Sequence, residues 1–196
     1  MSAIAKLPIT GIVLSGGKSR RMGKEKGLCE FRGKPLISYS IEVLDSLCET
    51  VIVSANNQLE KYEKLGFQVI SDEYQEVGPL GGLYSCLKQS KTEINLVLSC
   101  DTPFVTKALF VELLPYAHSF DAVIPRHPNG FLEPLTALYH RSALLQMEQQ
   151  LAAGRYKMID LLERINTKYV AIGSGNPGLN ISVFHNLNSP EDLLSC

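Results

Sequence analysis

The sequence predicts an α/β fold: a Rossmann-like three-layer sandwich around a mostly parallel sheet. Three observations carry this. Short apolar runs alternate with helix-length amphipathic runs along the chain, the pattern of strand–helix–strand units. The strand candidates at residues 9–15 and 94–99 are almost continuously apolar, as strands covered on both faces are. Ser15, Ser54, Asp72 and Asp101 each lie at or just past the end of a predicted strand, which puts them at the rim where such sheets bind ligands.

Taken in order, residues 9–15 form the first strand. Residues 35–47 read as a helix, with Pro35 near its first position, where a missing N–H costs little. Ile37, Ile41, Leu44 and Leu47 recur there at three- or four-residue spacing. A second strand follows at 50–54, then a helix at 58–65 stopped by Gly66. The third strand is 67–71. A helix at 80–90 begins after Gly78-Pro79, and the fourth strand is 94–99. The helix at 106–116 takes Thr106 as its N-cap. Strands at 121–125 and 135–139, helices at 142–153 and 158–164, a strand at 168–172 and a short helix at 189–194 complete the chain. Loops rich in Gly, Pro and Asn at 126–134 and 173–180 fall inside one domain, expected to span residues 1–196.

The bulk numbers narrow the function. A chain of 196 residues, 45% hydrophobic and 20% charged, suits one soluble globular domain. A net charge of −1 gives no global basic field for nucleic acid. No apolar run reaches the ~20 residues of a membrane span, and residues 1–8 do not read as a secretory signal. The expected location is the cytoplasm. Five cysteines without a CxxC pair, and four scattered histidines, support neither a disulfide framework nor a zinc site.

The informative stretch is Leu14-Ser15-Gly16-Gly17-Lys18-Ser19-Arg20-Arg21-Met22-Gly23-Lys24-Glu25-Lys26, where the first strand ends. Adjacent glycines let backbone come close to a ligand, and successive N–H groups can form an anion nest. Five cations, Lys18, Arg20, Arg21, Lys24 and Lys26, lie within nine residues. The pattern suits a triphosphate. It is not a Walker A loop, because Ile12 stands five residues before Gly17, and not a dinucleotide fingerprint, because Lys18 stands two after Gly16. Asp101, past the fourth strand, offers a hard oxygen ligand suited to Mg²⁺.

These residues resemble the signature loop of the nucleotidyltransferases related to molybdenum cofactor guanylyltransferase. Further similar elements follow in the family's order: Gly33-Lys34-Pro35-Leu36, Gly78-Pro79-Leu80-Gly81-Gly82-Leu83, Cys100-Asp101-Thr102-Pro103, Glu133-Pro134-Leu135 and Asn186-Leu187-Asn188-Ser189-Pro190-Glu191. The resemblance covers residues 11–194 and implies a fold of the nucleotide-diphospho-sugar transferase type. It implies Lys26 and Asp101 as catalytic residues, with Asp101 holding Mg²⁺. It implies nucleotide contacts from Leu14, Ser15, Gly16, Gly17, Lys26, Ser54, Asp72, Gly78, Gly82 and Asp101. Lys18, Arg20 and Arg21 are candidates for a phosphate clamp, unranked among themselves. Asn186 and Asn188 are candidates for the second substrate, and Asn188 equally suits a cap for the last helix. Ser54 departs from the family, which commonly has Asn there; Asn56, two residues on, can cover that role.

The implied reaction transfers GMP from GTP to the terminal phosphate of molybdopterin, releasing pyrophosphate. Implied partners are GTP, molybdopterin or molybdenum cofactor, and cofactor-insertion and acceptor proteins; neither nucleic acid nor membrane is implied. Three alternatives stand beside it: a CTP-dependent molybdopterin cytidylyltransferase, a sugar-phosphate nucleotidyltransferase, and a non-catalytic nucleotide sensor or partner subunit. Leu14-Ser15-Gly16-Gly17, where related cytidylyltransferases tend to read L-A-A-G, favours guanylyl transfer.

Overall fold

The computed structural model describes residues 6–16, 25–173 and 181–195. Its elements run β1 (Leu7–Leu14), a short 3₁₀ turn (Lys26–Leu28), β2 (Glu30–Phe31), β3 (Lys34–Pro35), α1 (Ile37–Asp45), β4 (Cys48–Ser54), α2 (Leu59–Glu63), β5 (Gln68–Ile70) and α3 (Pro79–Gln89). They continue as β6 (Ile94–Ser99), α4 (Lys107–Leu113), β7 (Ala122–Arg126), β8 (Thr136–His140), α5 (Leu144–Ala152), α6 (Met158–Leu162), β9 (Thr167–Ala171), a 3₁₀ turn (Ile181–Phe184) and α7 (Pro190–Ser195).

Seven strands form one sheet in the order β5-β4-β1-β6-β8-β7-β9. Neighbours pair in parallel except at β8, which runs antiparallel to both β6 and β7. The predicted mostly parallel α/β architecture is therefore what the chain forms. Alternation along each strand divides the core in two. On β1, Ile9 and Val13 face one layer while Ile12 and Leu14 face the other. The first layer buries Ile37, Ile41 and Leu44 of α1 with Leu109, Phe110 and Leu113 of α4. The second buries Leu80, Leu83 and Leu87 of α3 with Met147 of α5 and Leu161 of α6. Burying side chains of this size stabilises by roughly 1.5–3 kcal/mol each, which is why the two-sided apolar strands lie at the centre.

Two local expectations need correction. Pro35 does not open a helix; it lies in β3, paired with Glu30 of β2. Arg32 and Gly33 between these strands both have positive φ, 48° and 84°, the geometry of a tight hairpin turn that matches strand twist. Helix α2 starts after Gln58, whose left-handed φ of 50° excludes it from the helix, and ends at Glu63 ahead of Gly66. Thr106 does occupy the N-cap of α4, in extended conformation and without a side-chain capping bond.

The hairpin does structural service. Phe31 buries against Leu36 and Leu187, so a third small core ties the segment after the first loop to the C-terminal segment. Leu187 also donates its N–H to the Asp101 carbonyl at 3.0 Å. The C-terminal segment is thereby anchored over the rim of the sheet.

Candidate active site

The strand register decides which residues meet. Leu14 pairs with Ser54 on one side and Ser99 on the other, and Ser54 pairs with Ile70. Four parallel strands thus end flush. The ladder runs one step further through Ser15 N–H to Ser54 O and Cys100 N–H to Leu14 O. Ser15, Ser54, Asp72 and Asp101 accordingly share one rim, as their position after strands predicts.

Asp101 sits at the end of β6 in a charged cluster. Lys26 Nζ donates to Asp101 Oδ2 at 2.7 Å and to Asn188 Oδ1 at 2.6 Å. Ser99 Oγ donates to Asp101 Oδ1 at 2.6 Å. The lysine and aspartate side chains are only 13% and 19% exposed, so the pair is weakly screened and holds its geometry. Three residues separated by up to 162 positions in sequence meet here. Asn188 is not the cap of α7. Ser189 is: its N–H donates to Asp192 Oδ2, and its Oγ accepts from Asp192 N–H, a reciprocal capping arrangement. The N–H of Asn188 joins the same carboxylate, leaving its side chain to face Lys26. These backbone donors hold the Asp192 carboxyl below its usual range. Asn186 is exposed on the same segment, on the other side of the buried Leu187.

Asp72 sits past β5 in a neutral cluster. Ser54 Oγ donates to its Oδ1 at 3.1 Å and Asn56 Nδ2 to its Oδ2 at 2.8 Å. Its own N–H donates back to Asn56 Oδ1 at 2.9 Å. Burial raises its carboxyl above the usual range, and the Asn56 and Ser54 donors only partly offset this. Glycines crowd the carboxylate. A Cβ on Gly82 would stand 2.5 Å from Ser54 Oγ and 3.1 Å from Asp72 Oδ1. A Cβ on Gly16 would stand 3.4 Å from Asn56 Nδ2. Gly78 precedes α3 with φ 75° and ψ −161°, a backbone state essentially reserved for glycine. Asp72, Asn56, Asn57, Gln75, Glu76, Gly78 and Pro79 line a cavity of about 540 Å³.

Of the candidate residues, Lys26, Asp101 and Asn188 come together, as do Gly16, Ser54, Asp72 and Gly82. Leu14 is buried at the end of β1. Gly17, Lys18, Arg20 and Arg21 lie outside the described residues. Three side chains at the rim had no role assigned from sequence. Tyr62 of α2 shares a 2.7 Å hydrogen bond with Ser15 Oγ. Its position in the middle of an amphipathic helix gives no signal of this. His127 Nε2 and Glu133 Oε1 form a 2.9 Å contact; burial raises the Glu133 carboxyl, His127 lowers it and the charge of Asp101 raises it further. Glu133 therefore lies within the field of the charged cluster. The Glu133-Pro134-Leu135 motif marks the place in the sequence but not the chemistry. Cys100, next to Asp101, is buried and its thiol is pushed up to about 12 by desolvation, so it is not an activated nucleophile.

The arrangement offers a cation beside a carboxylate at one end of the rim and an open, glycine-lined acceptor at the other. That is a layout for an elongated anionic ligand with a polar tail. Among the described residues no helix is long and apolar enough to cross a membrane. A molybdenum cofactor guanylyltransferase of Vibrio parahaemolyticus is 33% identical over 184 residues, 93% of this chain and 91% of that protein. A Pelotomaculum thermopropionicum protein described as a probable molybdenum cofactor guanylyltransferase is 33% identical over 96% of this chain and 91% of its own. The crystal structure of molybdopterin-guanine dinucleotide biosynthesis protein A from Archaeoglobus fulgidus superposes with a TM-score of 0.78 at 28% identity, covering 95% of each chain. With residues 11–168 matching the family model of the MobA-like NTP transferase domain, the chain belongs to the MobA-like NTP transferase family.

Proposed function

We propose that this protein transfers GMP from GTP to the terminal phosphate of molybdopterin, forming molybdopterin guanine dinucleotide and pyrophosphate. The observation that carries the reading is the meeting of Lys26, Asp101 and Asn188 at one rim, in a chain matched over nearly all its length to guanylyltransferases. An oxygen of the acceptor phosphate attacks the α-phosphorus of GTP. The bond from that phosphorus to the bridging α–β oxygen breaks, and its electron pair leaves with pyrophosphate. Residues 1–196 act in this as one nucleotidyltransferase domain in the cytoplasm.

Lys26 is assigned to the α-phosphate, where it offsets charge that grows in the transition state. Ser15, Gly16 and Gly17 present backbone to the phosphates, with Lys18, Arg20 and Arg21 as clamp candidates. Asp72, Ser54, Gly78 and Gly82 take the nucleoside, and Asn186 and Asn188 the second substrate. Asp101 fits Mg²⁺: its carboxylate already stands against a positive charge, that of Lys26, at 2.7 Å. No group of three or more His, Cys, Asp or Glu among the described residues could enclose a metal. A cation held there would take further ligands from phosphates and water, which is the habit of Mg²⁺. Bound, it would supply charge neutralisation to the phosphates.

Pyrophosphate release tests the reading, measured with each of the four ribonucleoside triphosphates and Mg²⁺, with and without molybdopterin. Release is expected with GTP and only when molybdopterin is present. Release with CTP, or with a sugar phosphate as acceptor, would replace the assignment. Binding of GTP with no release under any condition would make the protein a nucleotide sensor.

A further inference from the structure

The pair formed by Asn56 and Asp72 is reciprocal: the amide donates to the carboxylate, and the Asp72 N–H donates back to the amide oxygen. Asp72 Oδ1 takes one bond from Ser54 and Oδ2 takes one from Asn56. A carboxylate oxygen accepts about two hydrogen bonds, so each retains one acceptor position among the described residues. Gly16, Gly81 and Gly82 all lie against this group; a Cβ on any of them would come within 3.1–3.8 Å of an Asp72 oxygen. No side chain from these positions covers it, and the carboxylate borders the cavity of about 540 Å³. Asn56 itself is exposed, so nothing in the core requires an amide there.

We propose that Asn56 is a positioning residue that determines nucleotide specificity: acting through Asp72, it fixes a two-acceptor carboxylate edge that reads two adjacent donors on the nucleoside. GTP carries two such pairs, the ring N–H with the 2-amino group of guanine and the 2′,3′-hydroxyls of ribose. The inference rests on the proposed function, which brings GTP to this rim, and adds the residue that sets its selectivity. With only Ser54 to hold Oδ1, the carboxylate rotates about its side-chain bond, and a bidentate match loses its advantage over a single bond.

The test is equilibrium binding of GTP, inosine triphosphate and 2′-deoxy-GTP by calorimetry with Mg²⁺, for wild type, Asn56→Ala and Asn56→Asp. Wild type is expected to prefer GTP over one of the two analogues. Asn56→Ala is expected to weaken GTP about tenfold, the worth of one charge-assisted hydrogen bond, while changing that analogue by less than about twofold, so the preference collapses. Collapse against the inosine nucleotide assigns the base edge, and collapse against the deoxynucleotide assigns the ribose. Asn56→Asp keeps an acceptor for the Asp72 N–H but loses the donor, and is expected to bind GTP no better than Asn56→Ala. In turnover, KM for GTP should rise with kcat unchanged. Equal weakening of all three nucleotides, unchanged GTP binding, or wild-type selectivity in Asn56→Asp would overturn the inference. A wild-type protein that does not bind GTP would instead remove the functional reading beneath it, and the two failures are distinct.

Discussion

Two aspartates at one sheet rim, Asp72 and Asp101, are held in opposite ways. Asp101 is held by a cation, Lys26, which also donates to Asn188 of the C-terminal segment, and by its near neighbour Ser99. Asp72 is held by neutral donors, Ser54 and Asn56, and glycines lie against it where a Cβ would crowd the carboxylate. The charged cluster suits a group whose charge changes during reaction, since preorganised charge acts most where charge develops. The neutral cluster suits a group that is recognised and unchanged. The comparison predicts that damage near Asp101 appears in kcat and damage near Asp72 appears in KM.

The largest expected effect follows from Asp101→Asn. Turnover should fall about 10³-fold, with circular dichroism and thermal midpoint close to wild type. Turnover near normal would remove Asp101 from the metal-holding role and erase the contrast. Lys26→Ala should lower kcat about 10²-fold with a smaller change in KM, read by steady-state pyrophosphate release. An effect confined to KM would move Lys26 into the recognition half of the site. Both experiments break the comparison if they fail, because the charged cluster would then not be where the chemistry is.

Much of this layout was legible in the sequence, and the reason is periodicity. The strand ends at Leu14, Ser54 and Ser99 could be found because buried strands and amphipathic helices leave repeating patterns, and strand ends point to the rim. The β2–β3 hairpin was not legible, because two-residue strands carry no period; only the Arg32-Gly33 turn marks it. The contact between Lys26 and Asn188 spans 162 positions, and no local pattern encodes it. The family resemblance placed these residues near the site, while the α7 cap at Ser189 and Asp192 explains why the Asn188 side chain is available. Tyr62 at Ser15 and the His127–Glu133 pair depend on packing between elements, which spacing along the chain does not report.

A smaller effect sharpens the other side. Gly82→Ala places a methyl 2.5 Å from Ser54 Oγ and 3.1 Å from Asp72 Oδ1. It should destabilise the fold by about 1–3 kcal/mol, as overpacking does, and raise KM for GTP several-fold with kcat nearly kept. A loss in kcat alone would mean that the glycine turn serves the chemistry and not recognition.

The smallest effect is in pH. Burial raises the Asp72 carboxyl in the folded protein above its ordinary value of 3.8, so the folded protein binds this proton more tightly than the unfolded chain. The stability linked to that proton is fully present below pH 3.8 and is lost as pH rises through the folded value. Nucleotide recognition runs the other way, because only the ionised carboxylate accepts from two donors. Carboxyl NMR should place the Asp72 midpoint above 3.8, and GTP affinity should fall as pH falls through that midpoint. An Asp72 midpoint at or below 3.8 would show that its neutral partners compensate fully for burial.

The most direct test of the account is a crystal structure of the protein with GTP and Mn²⁺, with the metal located by its anomalous signal. The metal peak is expected at the Asp101 carboxylate, with Lys26 swung onto the phosphates and the nucleoside against Asp72. A metal peak away from Asp101, or the nucleoside beside Lys26 and the phosphates beside Asp72, would contradict it.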